Sequence, residues 1–93
     1  MAERRVKVGW TEGLHARPAS IFVRATTASG VPVTIAKNGS NPVNAASMLA
    51  VLGLGVEGGE EIVLTSDVEG ADAALDRLAK LVTDGLDELP ETV

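Results

Sequence analysis

The 93-residue sequence predicts an α+β fold with seven elements in the order β-α-β-β-α-β-α. Three segments alternate apolar and polar residues, as half-buried strands do, and two longer stretches repeat apolar residues at the spacing of an amphipathic helix. The dipeptide Asn38-Gly39 is a strong hairpin signal and adds a fourth strand. This order is typical of a split βαβ arrangement, in which one antiparallel sheet carries its helices on a single face.

The first strand and the first helix are separated by a loop over residues 11–15. The strand contains three apolar residues in alternation, which are Val6, Val8 and Trp10. Pro18 predicts the first turn of the helix, because a proline there lacks only an N–H group that a helix start leaves unpaired. Gly30 is a typical residue for the end of this helix. The residues that share its apolar face are Ala19, Phe22, Val23 and Thr26.

The middle of the chain predicts a hairpin followed by a short helix. The outgoing strand again has three alternating apolar residues, which are Val31, Val33 and Ile35. The return strand is predicted from Ser40 to Val43. The short helix is predicted from Ser47 to Leu52, with Asn44 or Ser47 capping its first turn.

The last strand and the last helix follow a glycine pair. The strand is predicted from Glu60 to Thr65, and its core-facing residues are Ile62 and Leu64. Ser66 or Asp67 is expected to cap the helix, and Pro90 is expected to end it. The apolar stripe along this helix consists of Ala71, Ala74, Leu75, Leu78, Leu81, Val82 and Leu86.

The composition bounds what the chain can do. We find no internal repeat, low-complexity tract or linker, and therefore predict one domain over residues 1–93. A chain of this length buries only about 60–65% of its unfolded surface, so chemistry is expected on the surface. The absence of cysteine excludes disulfides, thiolate catalysis and most zinc sites. With no leader-like segment and no apolar run near the ~20 residues that span a bilayer, a cytoplasmic protein without membrane insertion is expected.

Positive charge is concentrated in the first part of the chain. Six of the eight Lys and Arg residues lie between Arg4 and Lys37, whereas eleven of the thirteen acidic residues follow Lys37. This asymmetry suits negatively charged ligands or partners at the N-terminal part. The net charge of −5 and the presence of only two aromatic residues, Trp10 and Phe22, disfavour nucleic-acid binding.

The segment with the clearest chemistry is Gly13-Leu14-His15-Ala16-Arg17-Pro18, at the predicted start of the first helix. A helix N-terminus presents unpaired N–H groups and the positive end of the helix dipole, and both favour phosphate oxygens. Histidine, with an ordinary pKa of about 6.5, has a free lone pair at neutral pH and can attack phosphorus without a separate base. His15, the only histidine, is therefore the candidate phosphoryl acceptor.

Ala16 and Arg17 are the candidate phosphate-binding residues beside it. Arg17 adds a fixed positive charge and a planar set of donors for phosphoryl oxygens. The plainer interpretation is that His15 is a solvated loop residue and Arg17 an ordinary surface residue. One histidine without cysteine cannot build a closed metal site, so neither a metal nor a cofactor is predicted.

The segments Gly13–Ala19 and Ser47–Leu54 resemble the HPr phosphocarriers of the bacterial sugar phosphotransferase system. Gly-Leu-His-Ala-Arg-Pro-Ala is similar to the active-site signature of that family. Length, element order and the C-terminal helix extend the resemblance over nearly the whole chain. The resemblance implies an open-faced β-sandwich, with a four-stranded antiparallel sheet in the order 1-4-2-3 covered on one face by three helices.

The resemblance also implies a function. His15 would take a phosphoryl group on Nδ1 from enzyme I, itself charged by phosphoenolpyruvate, and pass it to enzyme IIA components that drive sugar uptake. Arg17 would assist. Such a carrier is a stoichiometric intermediate rather than an enzyme with its own turnover cycle, and its transient docking favours a monomer.

Residues of the short helix are implied in docking and regulation. Met48, Leu49 and Leu52 match the apolar contact surface of the family, and their spacing of three or four residues places them close together on a helix. Core packing is the alternative, and Val51 is expected in the core instead. Ser47 matches a serine that an ATP-dependent kinase phosphorylates in many members; the alternative is a simple cap, worth about 1 kcal/mol.

Three other functions stay open on the sequence alone. One is a phosphorelay of a nitrogen-type phosphotransferase system. Trp10 and Glu12 depart from the residues common in the family near the site, which leaves the preference for partners open. The second is a regulatory protein-binding module that acts through Ser47 and the Met48–Leu52 surface. The third is a ferredoxin-like domain that binds a small ligand. The C-terminal extension, residues 86–93, means that no family contact made by a chain end is assumed.

Overall fold

Residues 2–85 are described by a computed structural model of the chain. The strands are β1 (Ala2–Lys7), β2 (Thr34–Lys37), β3 (Val43–Asn44) and β4 (Glu61–Ser66). They form one sheet in the order β1-β4-β2-β3, and each neighbouring pair is antiparallel. The helices are α1 (Ala16–Ser29), α2 (Met48–Gly53) and α3 (Asp72–Asp84). The α+β fold, its element order and its 1-4-2-3 sheet are confirmed.

The sheet buries one face and exposes the other because its strands alternate apolar and polar residues. The exposed residues of β1 are Glu3, Arg5 and Lys7. In β4 the residues predicted to face the core, Ile62 and Leu64, are fully buried. The register places Leu64 opposite Ile35 of β2, which is also fully buried. Each such side chain stabilises the fold by about 1.5–3 kcal/mol relative to an exposed one.

The helices pack on the buried face through the predicted apolar stripes. On α1, Val23 is half-buried and packs against the core, and the fully buried members of the predicted face are Ala19, Phe22 and Thr26. For α3, which packs against β1 and β4, the buried residues are Ala74, Leu75, Leu78, Leu81 and Val82, and Ala71, the residue before the helix, is also buried. Leu86 and Pro90, the predicted last turn and end of the stripe, lie outside the described residues.

Two helix boundaries lie where the sequence predicted them. α1 is followed by Gly30, whose backbone is left-handed with φ 70°. α2 begins after Ser47, whose Oγ accepts a hydrogen bond from the N–H of Ala50 at 3.2 Å. Of the two predicted caps of α2, Ser47 is therefore the one used. The side chain of Asn44 instead accepts a hydrogen bond from the N–H of Ala46 at 2.9 Å, within the preceding turn.

The predicted return strand is displaced along the chain. It was expected from Ser40 to Val43, but β3 consists of Val43–Asn44. Ser40 is occupied in closing the turn, because its Oγ accepts a hydrogen bond from the N–H of Lys37 and donates one to the carbonyl oxygen of Lys37, both at 3.0 Å. Pro42 has no N–H to contribute to a strand ladder. Regular pairing therefore begins only after Pro42.

The predicted caps of α3 are wrong. The residue that precedes α3 is Ala71, and its side chain makes no capping hydrogen bond. Ser66 is the last residue of β4, and its Oγ accepts a hydrogen bond from the N–H of Val68 at 3.3 Å. The chain then passes through residues 67–71 before the helix begins. Ser66 and Asp67 thus lie too early in the chain to cap it.

A charged contact joins β1 to α3 on the surface. The Nε of Arg4 donates to Asp76 at 2.6 Å, and its Nη2 donates to Asp72 at 3.2 Å. The hydrogen bond to Asp76, followed by that to Asp72, raises the pKa of Arg4 above its ordinary value. Because the ion pairs are exposed, they contribute little to the free energy of unfolding.

Candidate functional site

The loop that precedes α1 is held against the segment that precedes β4. Gly13 has a φ of 78°, a left-handed backbone conformation that glycine adopts without a steric penalty. A Cβ atom at this position would overlap the carbonyl oxygen of Val56. The next residue, Leu14, donates its N–H to the same oxygen at 3.0 Å and buries its side chain. The backbone that leads into the candidate acceptor is therefore anchored.

His15 immediately precedes α1 and occupies its N-cap position. Its backbone is extended, with φ −79° and ψ −173°, and its carbonyl oxygen accepts the N–H of Ala19 at 2.8 Å. The imidazole makes no capping hydrogen bond and is exposed. The carbonyl group thus does the structural work of starting the helix, while the ring is open to solvent and to a partner.

The first turn of α1 offers donors to an anion beside His15. Pro18 has no N–H and Ala19 donates to His15, so the N–H groups of Ala16 and Arg17 are the ones without an intrahelical acceptor. The Arg17 side chain is exposed and forms no ion pair with any side chain in residues 2–85. No acidic residue lies in this first turn. The electrostatics at the helix start therefore favour negative charge.

A shallow cavity of about 280 Å³ opens beside the histidine. It is lined by Leu14, His15, Ala16, Leu52, Gly55, Val56 and Glu57. The structure thus brings the α2 residue Leu52 together with the start of α1. We refer to the segment Gly55–Glu57 as the wall of the cavity. No local sequence pattern indicates this segment, because its contact with residues 13–15 joins parts of the chain that are some forty residues apart.

A larger cavity of about 460 Å³ lies at the other end of β4, between the ends of β2, β3 and β4. Its lining consists of Pro32, Val33, Thr34, Pro42, Val43, Asn44, Thr65, Ser66, Asp67 and Val68. It contains no histidine, lysine or arginine. The smaller cavity is the better candidate site because it alone of these two combines a nucleophilic side chain with backbone donors.

The short helix α2 presents two of its apolar residues to solvent. Leu49 is 83% exposed and Leu52 is 39% exposed. Met48 is half-buried and packs against the core, whereas Val51 is fully buried, as the sequence predicted. Leu49, Leu52 and the accessible part of Met48 together give an apolar patch near the candidate site, and such patches mark surfaces that other proteins cover. Ser47 lies at the start of the same helix.

The two positions that depart from the usual family residues have different environments. Trp10 is only 5% exposed and belongs to the core. It lies three residues after the end of β1. The apolar alternation of the strand continues there, although the backbone is no longer paired as a strand. Glu12 is exposed in the loop, three residues before His15. Of the two, Glu12 is therefore the side chain that a partner can contact.

Within residues 2–85, no three side chains of His, Cys, Asp or Glu type are grouped closely enough to hold a metal ion. None of the helices in this part of the chain has the length and apolar character needed to cross a membrane.

Comparisons with known proteins agree on one family. The sequence matches the family model described as the PTS HPr component phosphorylation site over residues 2–84. It is 82% identical to phosphocarrier protein HPr of Streptomyces coelicolor over 93 residues, which is the full length of both chains.

Solved structures agree with the sequence comparison. The crystal structure of HPr from Thermoanaerobacter tengcongensis is similar, with a TM-score of 0.82 and 28% identity, over 92% of this chain and 98% of that one. For phosphocarrier protein HPr from Bacillus anthracis the TM-score is 0.80 and the identity 34%, over 87% of this chain and 95% of that one.

Proposed function

The chain belongs to the HPr phosphocarriers of the phosphotransferase system, and we propose that His15 accepts a phosphoryl group from enzyme I and passes it to enzyme IIA components for sugar uptake. The observation that supports this best is the exposed imidazole of His15, directly before two unpaired N–H groups of α1. Enzyme I would itself be charged by phosphoenolpyruvate. The protein would act as a monomer in the cytoplasm, with residues 1–93 as one domain.

The proposed reaction exchanges one bond to phosphorus for another. The lone pair on Nδ1 of His15 attacks the phosphorus atom carried by enzyme I, and the electron pair of the broken bond stays with enzyme I. In the second step a nucleophile of enzyme IIA attacks the same phosphorus, and the electron pair of the N–P bond returns to His15. The protein is regenerated only after both partners have acted. It is therefore a carrier rather than an enzyme with its own turnover.

The start of α1 supplies the charge stabilisation that this transfer needs. Phosphoryl transfer passes through a loose transition state, so catalysis depends on positioning and on donors for the phosphoryl oxygens. The N–H groups of Ala16 and Arg17 provide two donors from a fixed backbone. The guanidinium of Arg17 adds a full positive charge that no carboxylate in the described residues neutralises.

Docking is assigned to the apolar surface of α2. Leu52 lines the cavity that contains His15, and the side chain of Leu49 on the same helix is exposed to solvent. Met48 contributes its accessible part. A partner that covers these residues would also exclude water from the phosphoryl group, which strengthens the charge interactions there.

Phosphorylation of His15 is tested with phosphoenolpyruvate and enzyme I. We expect one acid-labile phosphate per chain, and none for His15→Ala. The label should then pass to enzyme IIA; transfer to a sugar-type or a nitrogen-type enzyme IIA separates sugar uptake from the nitrogen-type phosphorelay. Unchanged labelling of His15→Ala would overturn the proposal.

A regulatory role of Ser47 is the second candidate function. Its Oγ lies at the first turn of α2, one residue from Met48 and two from the exposed Leu49. A serine kinase acting there would place about −1.5 to −2 charges on the docking surface, while the helix start itself tolerates the phosphate. Acid-stable phosphate gained from ATP, and lost in Ser47→Ala, would identify this role.

A further inference from the structure

The side chain of Lys37 reaches from the sheet to the wall of the His15 cavity. Lys37 is the last residue of β2, and its Nζ donates a hydrogen bond to the carbonyl oxygen of Gly55 at 3.4 Å. The side chain begins from a fixed point, because both backbone groups of Lys37 are hydrogen-bonded to Ser40. Among residues 2–85, Lys37 forms no ion pair.

The acceptor of this hydrogen bond, the carbonyl oxygen of Gly55, lies just beyond the end of α2. Gly55 is left-handed, with φ 65°, and lies two residues after Gly53, the last residue of α2. Its N–H donates to the carbonyl oxygen of Leu52 at 3.2 Å, which ties Gly55 to the last turn of α2. A cation near the C-terminal end of a helix is favourable because the dipole is negative there. Lys37 therefore restrains the point at which α2 turns into the wall.

The wall also contacts the backbone next to His15, the candidate phosphoryl acceptor. Gly55, Val56 and Glu57 all line the cavity that contains His15. The carbonyl oxygen of Val56 accepts the N–H of Leu14, the residue before His15, at 3.0 Å. A continuous path thus runs from the Lys37 ammonium through Gly55 and Val56 to the backbone that carries the imidazole.

We propose that Lys37 is a positioning residue for phosphoryl acceptance, which it assists by fixing the wall and, through it, the backbone at His15. The proposal rests on the function assigned above to His15. Lys37 does not itself contact the reacting group in this role. Its contribution is to keep the cavity in the shape that receives a phosphoryl group. Loss of the Lys37 ammonium should therefore slow phosphorylation of His15 by any donor, whether a protein or a small molecule.

The test compares three variants by two measurements. Lys37→Met removes the ammonium but keeps the length of the side chain, and Lys37→Arg restores a donor. Lys80→Met, at an exposed position on α3, is the control with the same change of charge. The first measurement is deuterium exchange of the Leu14 N–H by NMR. The second is the rate at which phosphoramidate, a small donor that needs no partner protein, phosphorylates His15.

We expect Lys37→Met to exchange the Leu14 N–H about two- to fivefold faster, and to accept phosphate from phosphoramidate slower by a similar factor, as the loss of one hydrogen bond allows. Lys37→Arg should recover most of both values, and Lys80→Met should match the wild type. The amide measurement needs no phosphoryl transfer, so it is informative even if wild-type His15 proves not to be an acceptor.

Two outcomes would overturn the role of Lys37. One is wild-type exchange and wild-type phosphoramidate reactivity in Lys37→Met. The other is slower phosphorylation by phosphoramidate with unchanged Leu14 exchange, which would mean that Lys37 does not act through the wall. Absence of any phosphate on wild-type His15 would overturn the proposed function, separately from both.

Discussion

At the scale of single residues, two side chains at the start of α1 have different proposed roles in phosphoryl transfer. His15 supplies a nitrogen nucleophile on an exposed ring, and Arg17 supplies positive charge two residues later. Both could be selected from the sequence, because they lie within one short segment at a predicted helix start. Lys37 could not, since its contact with Gly55 depends on how β2 and the end of α2 meet in space.

The charge of Arg17 is expected to affect the rate of transfer rather than the fold. Arg17→Ala removes an exposed side chain that forms no ion pair within residues 2–85, so the free energy of unfolding should stay within about 0.5 kcal/mol of the wild type. Loss of a charged hydrogen-bond donor to the phosphoryl group should slow phosphorylation by enzyme I about tenfold or more. Arg24→Ala, also exposed on α1, is the matched control. A wild-type rate for Arg17→Ala would show that the guanidinium has no part in the transfer.

At the scale of elements, α2 shows how a helix of six residues can serve both the core and the surface. Val51 points inward and is fully buried, while Leu49 on the other side is 83% exposed. Ser47 closes the first turn, so the helix has a defined start despite its length. The same short element therefore separates a stabilising residue from a docking residue by only two positions.

This separation predicts that one substitution on α2 lowers the stability of the fold and that another weakens partner binding. Val51→Ala leaves a cavity in the core and should lower the free energy of unfolding by about 2 kcal/mol. Leu49→Asp should leave stability within about 0.5 kcal/mol of the wild type but weaken enzyme I binding about tenfold or more, as loss of a buried contact does. Urea unfolding and calorimetric titration measure the two effects. Unchanged affinity in Leu49→Asp would remove this residue from the docking surface.

The elements themselves follow from local patterns, and their boundaries follow only in part. Hydrophobic alternation identified the strands, and the stripes identified α1 and α3. The predicted start of α3 was wrong because the sequence does not distinguish a serine at the end of a strand from a serine at a helix cap. The hydrogen bond between Ser66 and Val68 shows that Ser66 belongs to the turn after β4. The return strand was misplaced because the bonding of Ser40 to Lys37 competes with a strand ladder.

At the scale of the whole molecule, the antiparallel sheet sets the location of the site. The loop before α1 follows β1, and the wall precedes β4; because β1 and β4 are antiparallel neighbours, both segments lie at the same end of the sheet. The topology thus creates the contact between Val56 and Leu14. Element order predicted the sheet, but the cavity depends on loop geometry that no local pattern encodes.

The charged contact between β1 and α3 is expected to be weak and insensitive to pH near neutrality. Asp76 and Asp72 raise the pKa of Arg4. A raised pKa stabilises the folded state fully at any pH below the ordinary value of the guanidinium, and this contribution is lost only as pH rises through the higher folded value. Titration of Arg4 therefore contributes no pH dependence in the neutral range.

Arg4→Gln should accordingly lower the urea midpoint only slightly at low salt, by the same amount at neutral and mildly alkaline pH. In about 1 M salt, where screening acts within about 3 Å, most of the difference should vanish. Arg5→Gln, whose ion pairs with Glu3 and Glu61 lie on the exposed face of the sheet, is the comparison. A difference that persists in high salt would indicate that packing of the Arg4 side chain, and not its charge, joins β1 to α3.

The buried indole of Trp10, next to the loop that precedes His15, is an intrinsic fluorescent probe. Trp10 is the only tryptophan, and the chain has no tyrosine. Its carbonyl oxygen accepts the N–H of Gly13 at 2.9 Å, two residues before His15. Indole fluorescence therefore comes from one residue, whose backbone is tied to that loop. Stopped-flow fluorescence can follow the loop through charging and discharge without an added dye.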